Sequence, residues 1–230
     1  MISQAVLTAM LPEHLLLLGI VLLLILAIAG HGQRASLFVG LASVAAAAVA
    51  AACLSLGGYA AAPFAGHFSV DPAGLLAKAM VLALALPVLL MSRDDFSDGE
   101  FPILLLSSLY GVCLMQSADS MPTLFLGLEI MSLPVYVLVL LAYRRPQSAE
   151  AALKYLVLGG TATAMLLMGA SLLYGISGSL ATAGFAKALG ASDTLTRAAV
   201  VLVILAFFLK AAIAPFHAWA PTPTKGPACR

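Results

Sequence analysis

Four ionisable side chains sit within or beside long apolar runs in the second half of the chain. Glu129 lies in LFLGLEIMSLPVYVLVLLAY, Lys154 in AEAALKYLVLGG, and Lys210 and His217 in FFLKAAIAPFHAWAP. A charge at the bilayer centre costs roughly 2.5–3.5 kcal/mol on insertion scales, so Glu129, Lys154 and Lys210 left unpaired would cost on the order of 10 kcal/mol. Packing alone does not justify that cost, and groups of this kind mark ion pathways. Carboxylate, amine and imidazole all take up and release protons. We read the four as members of a buried proton path, held by a membrane frame built from the rest of the chain.

The position of each residue adds detail. Glu129 follows Met121 by eight residues, which is roughly 12 Å into its segment at 1.5 Å per residue and near the midplane. Lys154 is nearer one end of its segment, and Glu150 one turn earlier is placed to pair with it at i,i+4. Lys210 stands in the almost wholly apolar run Val201 to Ala214. Pro215 has no backbone donor, so the carbonyl of Ala211 loses its helical partner and the helix is expected to break or kink there. Broken helices at membrane depth occur where they are buried or line a wet cavity. The break sets two titratable groups, Lys210 and His217, around Pro215. A nearby carboxylate holds the proton of a desolvated lysine, and its withdrawal releases it. Glu129 and Lys210 are the pair for such a switch. The structural alternatives are a protonated Glu129 bonded to a neighbouring helix, a snorkelling Lys154, and a kinked helix with a buried, paired Lys210.

Composition limits the frame. Of 230 residues, 63% are hydrophobic and only 9% charged, whereas soluble domains carry about 25% charged residues. Long apolar runs recur between short polar breaks, so the chain reads as an all-α, polytopic membrane protein in the lipid bilayer. The alternation of a membrane barrel is absent. The net charge of +1 and the lack of a basic stripe point to no nucleic-acid partner. Cys53, Cys113 and Cys229 form no C-x-x-C pair, and the histidines at 14, 31, 67 and 217 lack ligand spacing. No catalytic, cofactor-binding or metal-ligating set is indicated on this chain.

Seven segments are expected. The first runs from about Leu11 to Gly30. Ala27-Ile28-Ala29 resembles a cleavage site, but no basic residue precedes it and Glu13 stands where a positive n-region belongs, so a retained span is the reading. The second runs from about Leu37 to Leu56 and is rich in alanine. A Gly-, Ala- and Pro-containing loop leads to the third, from about Ala73 to Met91. Lys78 there is read as snorkelling to the near interface, and Pro87 as a bend. The polar stretch Ser92 to Glu100 is the clearest boundary. The fourth runs from about Pro102 to Gln116, and Asp119 and Pro122 make a tight turn. The fifth runs from about Met121 to Tyr143. Ser148 is a candidate N-cap for the sixth, which reaches about Tyr174 with Gly159, Gly160, Ala164 and Gly169 as a packing face. The stretch Gly175 to Asp193 reads as interfacial. The seventh runs from about Leu195 to Ala214. Arg34, Arg93, Arg144 and Arg145 fall on one side, which makes it cytoplasmic and the N-terminus periplasmic.

LGLEIMSLPVYVLV, SAEAALKYLVLG, LLYGISGSL and FFLKAAIAPFHAWAP together resemble subunit N of bacterial NADH:quinone oxidoreductase, respiratory complex I. The resemblance implies an antiporter-like fold of three leading helices and inverted five-helix repeats, and proton translocation coupled to quinone reduction elsewhere in the complex. It implies that Glu129, Lys154, Lys210 and His217 are the family's proton-path residues. NADH, FMN, iron–sulfur centres and quinone would belong to partner subunits, and the partners would be other membrane-arm subunits in a bacterial inner membrane. On this reading residues 1–100 are the leading helices, 101–220 an incomplete first repeat broken near Pro215, and 221–230 a polar tail. The family pattern continues past this point, whereas TPTKGPACR ends the chain, so a C-terminally truncated chain without its second repeat is expected. A multisubunit cation/proton antiporter or membrane hydrogenase subunit is the alternative in the same class, and a non-conducting scaffold is the alternative in another.

Overall fold

The structure is a computed structural model and describes residues 4–30, 32–92, 100–141, 146–188, 190 and 193–217. Among them the order is α1 (Gln4–Ala9), α2 (Leu11–Ile28), α3 (Gln33–Leu56), β1 (Ala61–Phe64), β2 (Phe68–Val70), α4 (Pro72–Met91), α5 (Glu100–Gln116), α6 (Met121–Leu141), α7 (Pro146–Ser177), α8 (Thr182–Ala188) and α9 (Thr194–Lys210). The seven expected segments correspond to α2, α3, α4, α5, α6, α7 and α9. Five of these helices are long and apolar enough to cross a membrane, and α5 is a shorter apolar helix. Most of their side chains face outward: Leu17, Leu18, Leu24 and Ile25 of α2 are exposed. Water would penalise such a surface, whereas lipid accepts it, and the helical ladder satisfies the backbone internally. The chain is a multi-pass membrane protein.

The contacts divide the chain into two compact units, Met1–Val135 and Tyr136–Arg230. In the first, α2 to α5 share a core of Leu16, Leu23, Val44, Leu82, Leu89 and Leu106. Asp71 caps α4 by accepting from the Gly74 amide at 3.2 Å. Pro72 follows at the first helical position, where its missing donor is not needed. The helix runs unbroken through Pro87 to Met91.

The loop before α4 differs from a plain connection. It folds as an antiparallel hairpin, with Ala61 opposite Val70 and Phe64 opposite Phe68. Gly66, at φ +76°, makes the turn. Phe68 and Val70 are buried while Ser69 is half-exposed, the period-2 pattern of a strand lying on a core. The hairpin also fastens to the α5–α6 turn, because the Ser69 amide donates to Ser117 and the Asp119 amide to His67.

In the second unit α7 and α9 pack along a stripe of small and medium residues. Ala162, Leu166 and Leu173 are buried on α7, and Thr196, Ala199 and Ala206 on α9. A Cβ on Gly169 would lie 2.7 Å from Val203 Cγ2 and 2.9 Å from the Ala199 carbonyl, so only glycine permits this approach. Gly159 lies under the Tyr136 hydroxyl, whereas Gly160 meets open space and Ala164 is exposed. The expected packing face is therefore real at Gly159 and Gly169 and absent at Gly160 and Ala164.

Two helix ends differ from expectation. α7 begins at Pro146, so Ser148 lies inside the first turn rather than at the N-cap. α9 stops at Lys210, four residues short of Ala214.

Candidate functional site

Glu129 is set by a close crossing of α5 and α6 within the first unit. A Cβ on Gly111 would come 2.7 Å from the Ile130 carbonyl carbon, and one on Gly127 would come 2.8 Å from the Met115 amide. The two backbones therefore touch on either side of Glu129. The Ser108 hydroxyl donates to the Met131 carbonyl at 2.9 Å and locks the register. Glu129 is half-buried here.

In the second unit Lys210 closes α9. Thr196, Ala199, Val203, Ala206 and Lys210 follow the 3-4-3-4 spacing of one helical face. The first four are the face turned to α7, so Lys210 extends it, half-buried. The helix then ends on a closed turn. The Ala212 amide donates to Leu209 and the Ile213 amide to Phe208, with Ala212 at φ +50°. This is the Schellman arrangement, in which the residue after the cap turns left-handed to satisfy the last carbonyls. Pro215 follows, then His217 in the turn, exposed. α9 thus ends at Lys210, and Pro215 lies in the turn that follows.

Lys154 pairs with Glu150 at 2.6 Å, the expected i,i+4 contact, with 44% and 66% of the two side chains exposed. α7 and α9 touch where Gly169 meets Ala199 and Val203. Lys154 lies fifteen residues before Gly169 on α7. Tyr155, next to it, stacks obliquely on Tyr136 at 6.2 Å between ring centroids. At the other end of α9 Thr196 holds the Asp193 carboxyl below its ordinary range, and its backbone N–H is the donor. That amide donates to Asp193 at 2.8 Å.

The fully buried charges lie elsewhere. Lys78 of α4 and Glu13 of α2 meet at 2.5 Å with side chains 0% and 1% exposed. Phe68 of the hairpin covers the ammonium, 5.3 Å from its ring centroid. The snorkelling expected of Lys78 is corrected: its amine points inward because a carboxylate meets it there and an aromatic ring closes the way out. Among the described residues Lys154 and His217 are exposed and Glu129 and Lys210 half-buried. Lys154 lies to the side of the α7 stripe, so packing against α9 leaves it open.

Glu129 therefore belongs to the first unit, and Lys154, Lys210 and His217 to the second. Sequence reasoning missed the Glu13–Lys78 pair. The signal was available as two opposite charges near the starts of apolar segments, but nothing in a linear pattern says that α2 and α4 are neighbours. Among the described residues no three His, Cys, Asp or Glu side chains gather as a metal site requires.

The protein-family model described as NADH:quinone oxidoreductase/Mrp antiporter, TM matches residues 118–229. The NADH-quinone oxidoreductase subunit N of Azorhizobium caulinodans is 37% identical over 224 residues, 95% of this chain and 47% of that protein. A chain of respiratory complex I from Thermus thermophilus, solved with bound aureothin, aligns at TM-score 0.80 and 31% identity over 94% of this chain and 47% of its own length. A chain of the Mrp complex from Dietzia sp. aligns at TM-score 0.73 and 22% identity over 93% and 45%, which is likeness of fold alone. The chain spans about half the length of the curated relatives it matches.

Proposed function

Given that this chain belongs to the NADH:quinone oxidoreductase/Mrp antiporter membrane family, we propose that it works as a proton-translocating subunit in the membrane arm of an NADH:quinone oxidoreductase. Glu129, Lys154, Lys210 and His217 carry the proton. NADH, FMN, iron–sulfur centres and quinone sit on partner subunits, and quinone reduction there drives the movement here. The N-terminus faces the periplasm, because the arginine-bearing loops belong to the cytoplasmic side.

The observation that carries this reading is the end of α9. Lys210 is the last helical residue, and the chain turns through Ala212 and Pro215 to His217 directly after it. An amine at the edge of a helical break reaches both packed helix and open turn. It can take a proton on one side and give it up on the other. His217 adds a second carrier within the same turn.

The test uses the assembled complex in sealed vesicles, with Lys210→Ala and Lys210→Arg variants. Protons moved per NADH oxidised are expected to fall severalfold in both, because arginine keeps its charge but does not release its proton. A Lys210→Arg complex with the wild-type ratio would overturn the reading. The identity of 31% to the complex I chain against 22% to the Mrp chain favours the oxidoreductase over a cation/proton antiporter. Co-purification with flavin- and iron–sulfur-containing subunits separates the two.

A further inference from the structure

Beyond the four residues above, we infer that Glu13 and Lys78 form a second proton-exchange site, in which a buried water serves the outer oxygen of Glu13. The inference rests on the proton-translocating reading. The pair is the most deeply enclosed charged group of the described residues, with side chains 1% and 0% exposed. A carboxylate placed there only to fasten α2 to α4 would have both oxygens served. Instead only Oε1 meets Lys78, while Oε2 is buried without a donor among the described residues. Gln116 of α5 has its Oε1 in the same condition. Buried acceptors of this kind are met by water, which brings two donors to a polar pocket.

The proton chemistry is simple. In the resting pair Glu13 is ionised and Lys78 protonated, and the net charge is zero. A proton arriving through the water binds Oε2 and gives a carboxylic acid beside the ammonium, with net charge +1. Release to the same water restores the start. Lys78 keeps its own proton throughout, so it is a positioning residue, and Glu13 is the group that exchanges. Phe68 covers the hairpin side of the ammonium at 5.3 Å from its ring centroid.

The test is designed to separate exchange from fastening. A fastening pair is replaceable by apolar residues of similar volume, while removal of one partner alone is damaging. The Glu13→Leu/Lys78→Met double variant is therefore made in the whole complex. It is expected to assemble as well as the wild type yet move at least twofold fewer protons per NADH oxidised. Assembly with an unchanged ratio would overturn the proposal. If the double variant does not assemble, Glu13→Asp carries the test by infrared difference spectroscopy between oxidised and reduced complex. A protonated-carboxyl band that shifts between wild type and Glu13→Asp is expected, and an identical spectrum would overturn the proposal. Should the double variant pump normally while Lys210→Ala does not, this site fails and the proposed function stands. Should Lys210→Ala and Lys210→Arg both pump normally, the function itself fails.

Discussion

Gly169 of α7 sits so close to Val203 of α9 that a methyl group in place of its hydrogen would come within 2.7 Å of the valine Cγ2. That contact fixes how near the two helices run, and Lys210 continues the same face of α9. Gly169→Ala should therefore cost about 1–3 kcal/mol, the usual range for overpacking. Gly160→Ala, with nothing within 4 Å, should be neutral or slightly stabilising, since alanine is the better helix former. Thermal unfolding of the two variants in detergent, side by side, checks the contrast.

Ala212 holds a left-handed backbone at φ +50°, a conformation that disfavours any residue with a Cβ by roughly 1–2 kcal/mol. Ala212→Gly relieves this and loses part of the gain to greater freedom in the unfolded chain, roughly 0.5–1 kcal/mol. A net stabilisation of about 0.5 kcal/mol is expected. Ala212→Val should destabilise, because branching at Cβ makes the same backbone harder to hold. Unfolding curves order the three proteins.

The two lysine–glutamate pairs should behave in opposite ways. Lys78→Met leaves Glu13 charged and buried, and breaking such a pair costs about 3–5 kcal/mol. Lys154→Met removes a pair whose side chains are 44% and 66% exposed, and exposed pairs contribute little. The amount of folded protein recovered from membranes should fall sharply in the first variant and stay unchanged in the second. Equal losses would contradict the burial described here.

Asp193 gives a pH dependence whose sign is fixed. Its carboxyl is held below the ordinary range by Thr196, whose backbone N–H is the donor. The unfolded chain therefore takes up a proton before the folded one does. The stabilisation is whole above the unfolded value of about 3.9 and is lost as pH falls through the folded value. Hydrogen exchange in the first turn of α9, corrected for its intrinsic rate, should rise below about pH 4. Asp193→Asn keeps the cap without the charge and should flatten that rise.

Much of this architecture is legible in the residues. Apolar runs of helical length give α2, α3 and α4 nearly to their ends, because membrane helices satisfy their backbone alone and need no partner to declare them. Pro215 announces the end of α9, and the Glu150–Lys154 spacing announces its own contact. What stays hidden depends on which segments lie side by side. The hairpin forms because Phe68 and Val70 find a core under them, and the short run FSV is too brief to show a period. Lys78 looks like a residue near a helix end, and only the approach of α2 reveals Glu13 waiting for it. Ser148 reads as a cap but lies within α7.

The hairpin has a practical consequence. By pairing with the α5–α6 turn it ties two separate crossovers together, and Ala65 at its tip is exposed. A short epitope or a single labelled cysteine grafted at the tip, probed in intact and in opened cells, would therefore report the sidedness of the whole first unit from one insertion.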